Sequence, residues 1–284
     1  MIKDFNLKEA FNYTFRDPQG RKNFLVLVGL NAVIVCFFLN AILVLLIPFL
    51  GMILFCIFYF VIIIGSYLYD FYTSGYFYHI VEKVMHDKKP DNLFDNPKEK
   101  FIEGIKLYFI QLIIGLIMIP LILVEIFGYI IVLVLFQTLF VNVINLEVRL
   151  SSVLTILIIL AFSFVMRFIV SFVRSAIIYP TVYHYLVSNR QLESVFKLSE
   201  VFDRIKLMFK SFLKLTIVVT AVSIIEILIV LPFILIIIIA QNSIVGLIMT
   251  ILVFIILIPI VIFNIGFNYI TVPHLIGQIF RKYL

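Results

Sequence analysis

Residues 24–47 read FLVLVGLNAVIVCFFLNAILVLLI. No charged side chain interrupts this run, and its amides are Asn31 and Asn40. A helix rises about 1.5 Å per residue and a bilayer core takes about 20 apolar residues to cross. The run is therefore long enough to span. The same texture fills the chain: 64% of residues are hydrophobic, 13% are charged, and mean hydropathy is +1.20. Soluble domains carry roughly a quarter charged residues, so the apolar surplus must face lipid. The length suits about six spans with short connections. The fold class expected is all-α, an integral membrane helical bundle forming a single membrane domain over residues 1–284.

Working outward, Asn6–Phe15 reads as a short amphipathic helix with Leu7, Phe11 and Phe15 on one face. Asp17-Pro18-Gln19-Gly20 is a turn signal. Span 1 covers Phe24–Ile47, and Pro48 and Gly51 mark the outer turn. Span 2 runs from Met52 past Tyr72 and continues as a helix to Met85, followed by the polar loop His86–Lys100. Span 3 starts near Phe101. The apolar text then continues to Leu146, which is too long for one crossing, with Pro120, Glu125 and Gly128 interrupting it. Residues 125–146 are re-entrant, an outer extension, or an extra span. Span 4 covers Val153–Tyr179 and extends to Val187. Ser188–Lys210 reads as one amphipathic helix lying in the headgroup plane. Span 5 covers Phe212–Ile239, broken at Pro232, and span 6 covers Ile244–Ile270.

Charge sets the orientation. Lys and Arg concentrate in the N-terminal segment, the loop after span 2, the segment after span 4 and the C-terminus. The turns after spans 1 and 5 carry none. Basic residues mark cytoplasmic loops, so the chain is expected in the cell membrane with both termini in the cytoplasm. An extra crossing at 126–146 would put the basic segment Arg190–Lys214 outside, and the charge rule argues against it. The net charge of +6 follows from this bias. No basic stretch has the interleaved aromatics of a nucleic-acid groove, so nucleic acid is not an expected partner. Met1–Asn23 is too charged for a signal peptide. Cys36 and Cys56 sit in apolar runs, with neither zinc nor redox spacing.

A pattern precedes each odd span: NLKEAF at Asn6, NLFDNP at Asn92 and QLESVF at Gln191, with IKLYF at Ile105 matching IKLMF at Ile205. The even spans close on GYFYHIVEK from Gly75, PTVYHYLVS from Pro180 and FNYITVPHL from Phe267. The expected unit is an interfacial helix and a two-span hairpin, present three times over about 5–85, 91–187 and 190–284.

Four places then carry a resemblance. They are Phe15-Arg16-Asp17-Pro18 ahead of span 1, Gly75-Tyr76 near the end of span 2, Phe101-Ile102-Glu103-Gly104-Ile105-Lys106 leading into span 3, and Tyr185–Asn189 leading into Val195–Val201. On these residues the chain resembles the polytopic membrane family catalogued as domain of unknown function 4013. Asn92-Leu93-Phe94 departs from that family's pattern, whose members often carry Leu-Pro followed by Trp. The resemblance implies topology and no chemistry.

Candidate polar residues are few. Glu125 and Glu226 each fall about 20 residues beyond Lys106 and Lys206, roughly 30 Å along a helix, near the outer edge of the core. With Asn40 they are candidates for a polar vestibule admitting a cation or proton. Arg167 and Arg174 share a helix face, and Asp70 is the expected partner of Arg174. That side also suits anionic lipid headgroups. His79, His184 and His274 are expected to face water at the cytoplasmic boundary. No nucleophile elbow, metalloprotease helix or phosphate loop occurs, so neither catalytic residues nor a cofactor are expected. A non-catalytic scaffold or accessory protein, binding lipid and a protein partner or a second copy, is the favoured function. A small-solute or ion permease is the alternative.

Overall fold

Asp17 explains where the first long helix begins. Its Oδ1 accepts the backbone N–H groups of Gln19 and Gly20 at 2.9 and 3.3 Å. Pro18 is the first helical residue, where a missing N–H costs nothing and the fixed φ fits. Asp-Pro is thus a helix start, and the turn expected through Gly20 is already helix.

The computed structural model describes residues 5–44, 50–120, 123, 126, 150–239 and 244–284. Regular structure among them is helical, with no strand. In chain order the helices are α1 (Leu7–Phe15), α2 (Pro18–Val44), α3 (Leu50–Met85), α4 (Pro97–Ile117), α5 (Leu150–Val187), α6 (Leu198–Ile239), α7 (Ile244–Gly266) and α8 (Val272–Tyr283). A 3-10 turn, Leu192–Phe196, precedes α6, and a π turn, Phe267–Thr271, joins α7 to α8. Among the described residues, three stretches are long and apolar enough to cross a membrane: Phe55–Met85, Leu198–Glu226 and Ile255–Tyr283.

The chain divides into two units, Met1–Phe109 with Val222–Leu284, and Ile110–Ala221. The first has its core where α2, α3 and the α7–α8 junction meet. Tyr13, Leu27, Tyr76, Ile80, Val84, Leu93, Ile265 and Ile270 are buried there together. Leu7, Phe11 and Phe15 share a face of α1, as their spacing requires. Phe11 stacks on Phe267 at 5.9 Å, and Phe15 on Phe263 at 6.0 Å, so that face meets protein.

The helix after Gly266 changes character. Val272 donates to the carbonyl of Phe267, five residues back. This widened turn precedes Pro273, which has no N–H to give to a regular helix. Beyond it α8 has every residue from Val272 to Phe280 buried. Its Gly277 lies against α3, where an added Cβ would sit 2.7 Å from Val84 Cβ.

In the second unit, the segment 188–210 is not one helix. Asn189 and Arg190 adopt left-handed φ values of 56° and 57°, the turn Leu192–Phe196 tucks Val195 inside, and α6 starts at Leu198. Helix α6 then runs unbroken through Phe212 and Pro232 to Ile239. The correction has a local cause. Left-handed residues satisfy the end of α5, with Arg190 N–H bonded to the Tyr185 carbonyl at 3.1 Å, and end the helical path there. Val201, Met208, Phe212 and Leu215 then form the buried stripe of α6, and Phe209 meets Phe172 of α5 edge-on at 5.0 Å.

Candidate functional site

Polar side chains of the first unit gather where α3 leaves its apolar stretch. Asn23, on the second turn of α2, is wholly buried. Its Nδ2 donates to the Tyr76 hydroxyl at 2.6 Å and to the Asp91 carbonyl at 3.2 Å. Its Oδ1 accepts the Leu93 N–H at 3.0 Å. One amide thus ties α2, α3 and the loop after α3 together. Lys100, 3% exposed at the start of α4, donates to the carbonyls of Asn92 and Leu93 at 2.5 and 3.0 Å. Its ammonium lies 5.5 Å from the Tyr76 ring centre, within cation–π range. Burial pulls the Lys100 pKa down, and the carboxylates of Asp95, Asp91 and Glu99 oppose that shift. Tyr72 caps the arrangement by donating to the Leu93 carbonyl at 2.5 Å.

The outer side of the same loop is held by charge. Asp91 Oδ2 lies 3.0 Å from His79 Nε2 and 2.9 Å from Lys83 Nζ. Burial alone would raise the Asp91 pKa. The hydrogen bonds from Lys83 and His79 more than offset it and hold the carboxyl below its ordinary value.

A second polar cluster joins α1 to the α7–α8 junction. Gln278 Oε1 accepts the Asn6 N–H at 2.6 Å, and Gln278 Nε2 lies 3.2 Å from His274 Nδ1. Thr14 Oγ1 and Thr271 Oγ1, both buried, are 2.8 Å apart. The His274 ring lies 5.3 Å from that of Tyr13. Burial raises the Tyr13 pKa strongly, with the Asp17 charge adding to it, so this phenol is neutral.

The histidines therefore differ from expectation. His184 and His274 are each 5% exposed, and His79 pairs with Asp91. His184 and His274 are thus covered mainly by protein, and His79 is half-buried. Among the described residues no group of three His, Cys, Asp or Glu could hold a metal ion.

Of the residues singled out in the sequence, Glu125 lies outside the described residues, as do the side chains of Asn40 on α2 and Arg167 on α5. Asp70 is exposed on α3 in the first unit, and Arg174 is exposed on α5 in the second. Glu226 is half-buried on α6, and its Oε1 is enclosed with no hydrogen-bond partner among the described residues. Asn23, Tyr76, Lys100 and Gln278 were not singled out. A signal existed for two of them: Asn23 stands at the threshold of span 1, and Tyr76 follows Gly75 in the family-like motif.

That motif has a geometric basis. A Cβ on Gly75 would sit 1.7 Å from the Lys100 carbonyl oxygen, and a Cβ on Gly104 1.7 Å from that of Phe71. Glycine at both positions lets the backbones of α3 and α4 touch. The family described as Protein of unknown function (DUF4013) matches residues 54–240. The chain belongs to this family. No curated protein and no solved structure matches it. In this DUF4013 member the matched region includes both glycines, Tyr76, Asp91 and Lys100, so the loop clasp lies inside the family's shared stretch. Asn23, which completes the clasp, lies before it. The clasp's polar groups bond mostly to one another, which suits them to holding the loop and leaves them few free valences for chemistry.

Proposed function

We propose that this chain is a multi-pass protein of the cytoplasmic membrane, with six spans paired as three hairpins and both termini inside. It acts as a non-catalytic scaffold or accessory subunit, bound to anionic inner-leaflet lipid and to a partner protein or a second copy of itself. The observation that carries this reading is the flank of α3. Ile57, Tyr59, Phe60, Val61, Ile64, Tyr67 and Leu68 are all exposed. At 100° per residue all of these but Tyr59 fall within an arc of about 120°, so α3 turns one broad apolar flank outward, of the kind that lipid or another apolar surface covers.

The hairpin repeat draws support from two endings of the same kind. Helices α3 and α5 both close on a left-handed residue, Asp87 and Asn189, with a bond reaching five residues back. An aromatic pair also closes each helix pair, Phe71 with Tyr108 and Phe172 with Phe209. The exposed Leu192, Phe196, Leu198 and Phe202 beside Lys197, Arg204 and Lys206 suit an apolar edge dipping into the inner leaflet under basic side chains.

A photo-crosslinking residue placed at Phe60 or Tyr67 in intact membranes tests the function. A protein adduct is expected, its own copy or a partner, identified by mass spectrometry. Lipid adducts alone at both positions would remove the scaffold reading.

One observation favours the permease. A lone enclosed carboxylate oxygen, Glu226 Oε1, is costly in an apolar helix and suits a cation or proton path. Reconstituted vesicles decide it: a proton or cation flux lost in Glu226→Gln and Glu125→Gln supports transport, and a flux equal to that of protein-free vesicles excludes it.

A further inference from the structure

Beside the clasp, α1, the start of the loop after α3 and the end of α8 enclose an open cleft of about 650 Å³. This is within the range of small-ligand sites, about 300–1,000 Å³. Its floor includes Tyr13 and Val84, both buried. Its rim is polar and unevenly charged. Five Lys and Arg and three Asp and Glu side chains line it, which leaves an excess of two positive charges.

Two of the acids are already matched inside the cleft. Asp17 bonds to Lys89 at 3.3 Å, and Asp87 to Arg281. The third, Glu9, faces three cations for which no ion pair is formed among the described residues: Lys8, Arg16 and Lys88. Lys8, Asn12 and Arg16 recur every four residues and so stack along one side of α1. The face bearing Phe11 and Phe15 packs on Phe263 of α7 and Phe267 of the π turn, and Ala10, Tyr13 and Thr14 are buried. The cation–amide–cation ladder is the side that α1 leaves open. Lys88 projects from the opposite wall, which is held in place by the bonds to Asp91 and Leu93.

We propose that this cleft binds a phosphate-bearing anion through Lys8, Arg16 and Lys88, with the Asn12 amide between the two α1 cations. A phosphate monoester carries about 1.5 to 2 negative charges at pH 7 and three strong acceptor oxygens. It matches both the charge excess and the three unmatched donors, whereas a carboxylate would leave a positive charge over. The anion is either a free phosphate compound or a lipid headgroup. The proposal shares with the scaffold reading only the placement of this face at the inner leaflet. Binding of a free phosphate compound does not need that placement.

The experiment uses the full chain in lipid-free detergent micelles titrated with inorganic pyrophosphate. In parallel the chain is placed in nanodiscs of phosphatidylcholine with and without phosphatidic acid, and lipid retention is read by native mass spectrometry. The variant is Lys8→Gln/Arg16→Gln/Lys88→Gln, all at exposed positions. The control is Arg21→Gln/Lys22→Gln/Lys98→Gln, which removes the same charge at exposed positions outside the cleft. A single Lys88→Gln change, in the loop, covers the case where the α1 changes perturb folding. The cleft variant is expected to weaken binding about tenfold or more, as for loss of charge-assisted hydrogen bonds, and the control much less. Pyrophosphate binding identifies a soluble ligand, and phosphatidic acid retention alone identifies a headgroup. Equal weakening in variant and control, or no binding of either probe, overturns the site while leaving the crosslinking test of the scaffold untouched.

Discussion

Gly75 of α3 and Gly104 of α4 pack backbone to backbone, each occupying the space where the other helix's carbonyl would meet a Cβ. The atoms in the way are the Lys100 and Phe71 carbonyl oxygens, at 1.7 Å from the ideal Cβ positions. A carbonyl within a helix cannot rotate aside as a side chain can, so relief requires the helices to separate. Separation would also pull Lys100 off the Asn92 and Leu93 carbonyls. Gly75→Ala and Gly104→Ala are each expected to destabilise by about 1–3 kcal/mol or more, as overpacking does. A lowered thermal midpoint in detergent checks this, and Gly29→Ala, with open space around it, should leave the midpoint nearly unchanged.

Asn23 is expected to be the most sensitive polar position. Asn23→Leu leaves the buried Leu93 N–H and the Tyr76 hydroxyl without their partner, at a cost of about 1–3 kcal/mol per orphaned group. The loss is local to the loop, so the readout is local too. Trypsin cleavage after Lys88 should accelerate and Leu93 amide exchange should quicken. Unchanged protection at Leu93 would show that Lys100 and Tyr72 hold the loop unaided.

Thr14 and Thr271 offer a cleaner energetic test. Their hydroxyls are 2.8 Å apart and fully buried. Thr14→Val alone leaves the Thr271 hydroxyl with only the Gly266 carbonyl, at 3.5 Å, and is expected to cost about 1 kcal/mol or more. The double change Thr14→Val/Thr271→Val removes both partners and is expected to cost less than the sum of the single changes. Additive costs in a double-mutant cycle would show that the pair does not interact.

Acid should loosen the polar region around the loop after α3. For Asp17, burial acts to raise the pKa, but the Gly20 N–H, Lys89 and the Gln19 N–H together hold it below its ordinary value. Asp91 is held down in the same sense. A carboxyl depressed on folding stabilises fully above its unfolded pKa of about 3.9 and loses that contribution as pH falls through the folded value. Thermal midpoints should therefore drop below about pH 4. Asp17→Asn/Asp91→Asn should start lower at neutral pH and show a smaller acid drop.

The helical class, the membrane-suited apolar runs and the family were legible in the sequence, because each depends on local composition and period. A run such as residues 24–47 has no stable soluble alternative, and Gly75-Tyr76 and Gly104 could be recognised without knowing that they touch. Helix ends were less legible. Asp17-Pro18 reads equally as turn or cap, and the break at Asn189 and Arg190 depends on how Val195 is buried.

The clasp could not be read from the chain at all. Asn23 and Tyr76 are 53 residues apart, Asn23 and Leu93 are 70 apart, and Asn6 and Gln278 are 272 apart. No periodicity connects such positions, and a buried amide looks the same in sequence as one that ends a span. The sequence by itself determined that these segments are helices suited to lipid. Only the tertiary structure decided which polar groups meet, because each buried donor must find an acceptor supplied by a distant part of the chain. The tertiary structure alone also gathered Lys8, Arg16 and Lys88, which form no ion pair among the described residues, around one cleft.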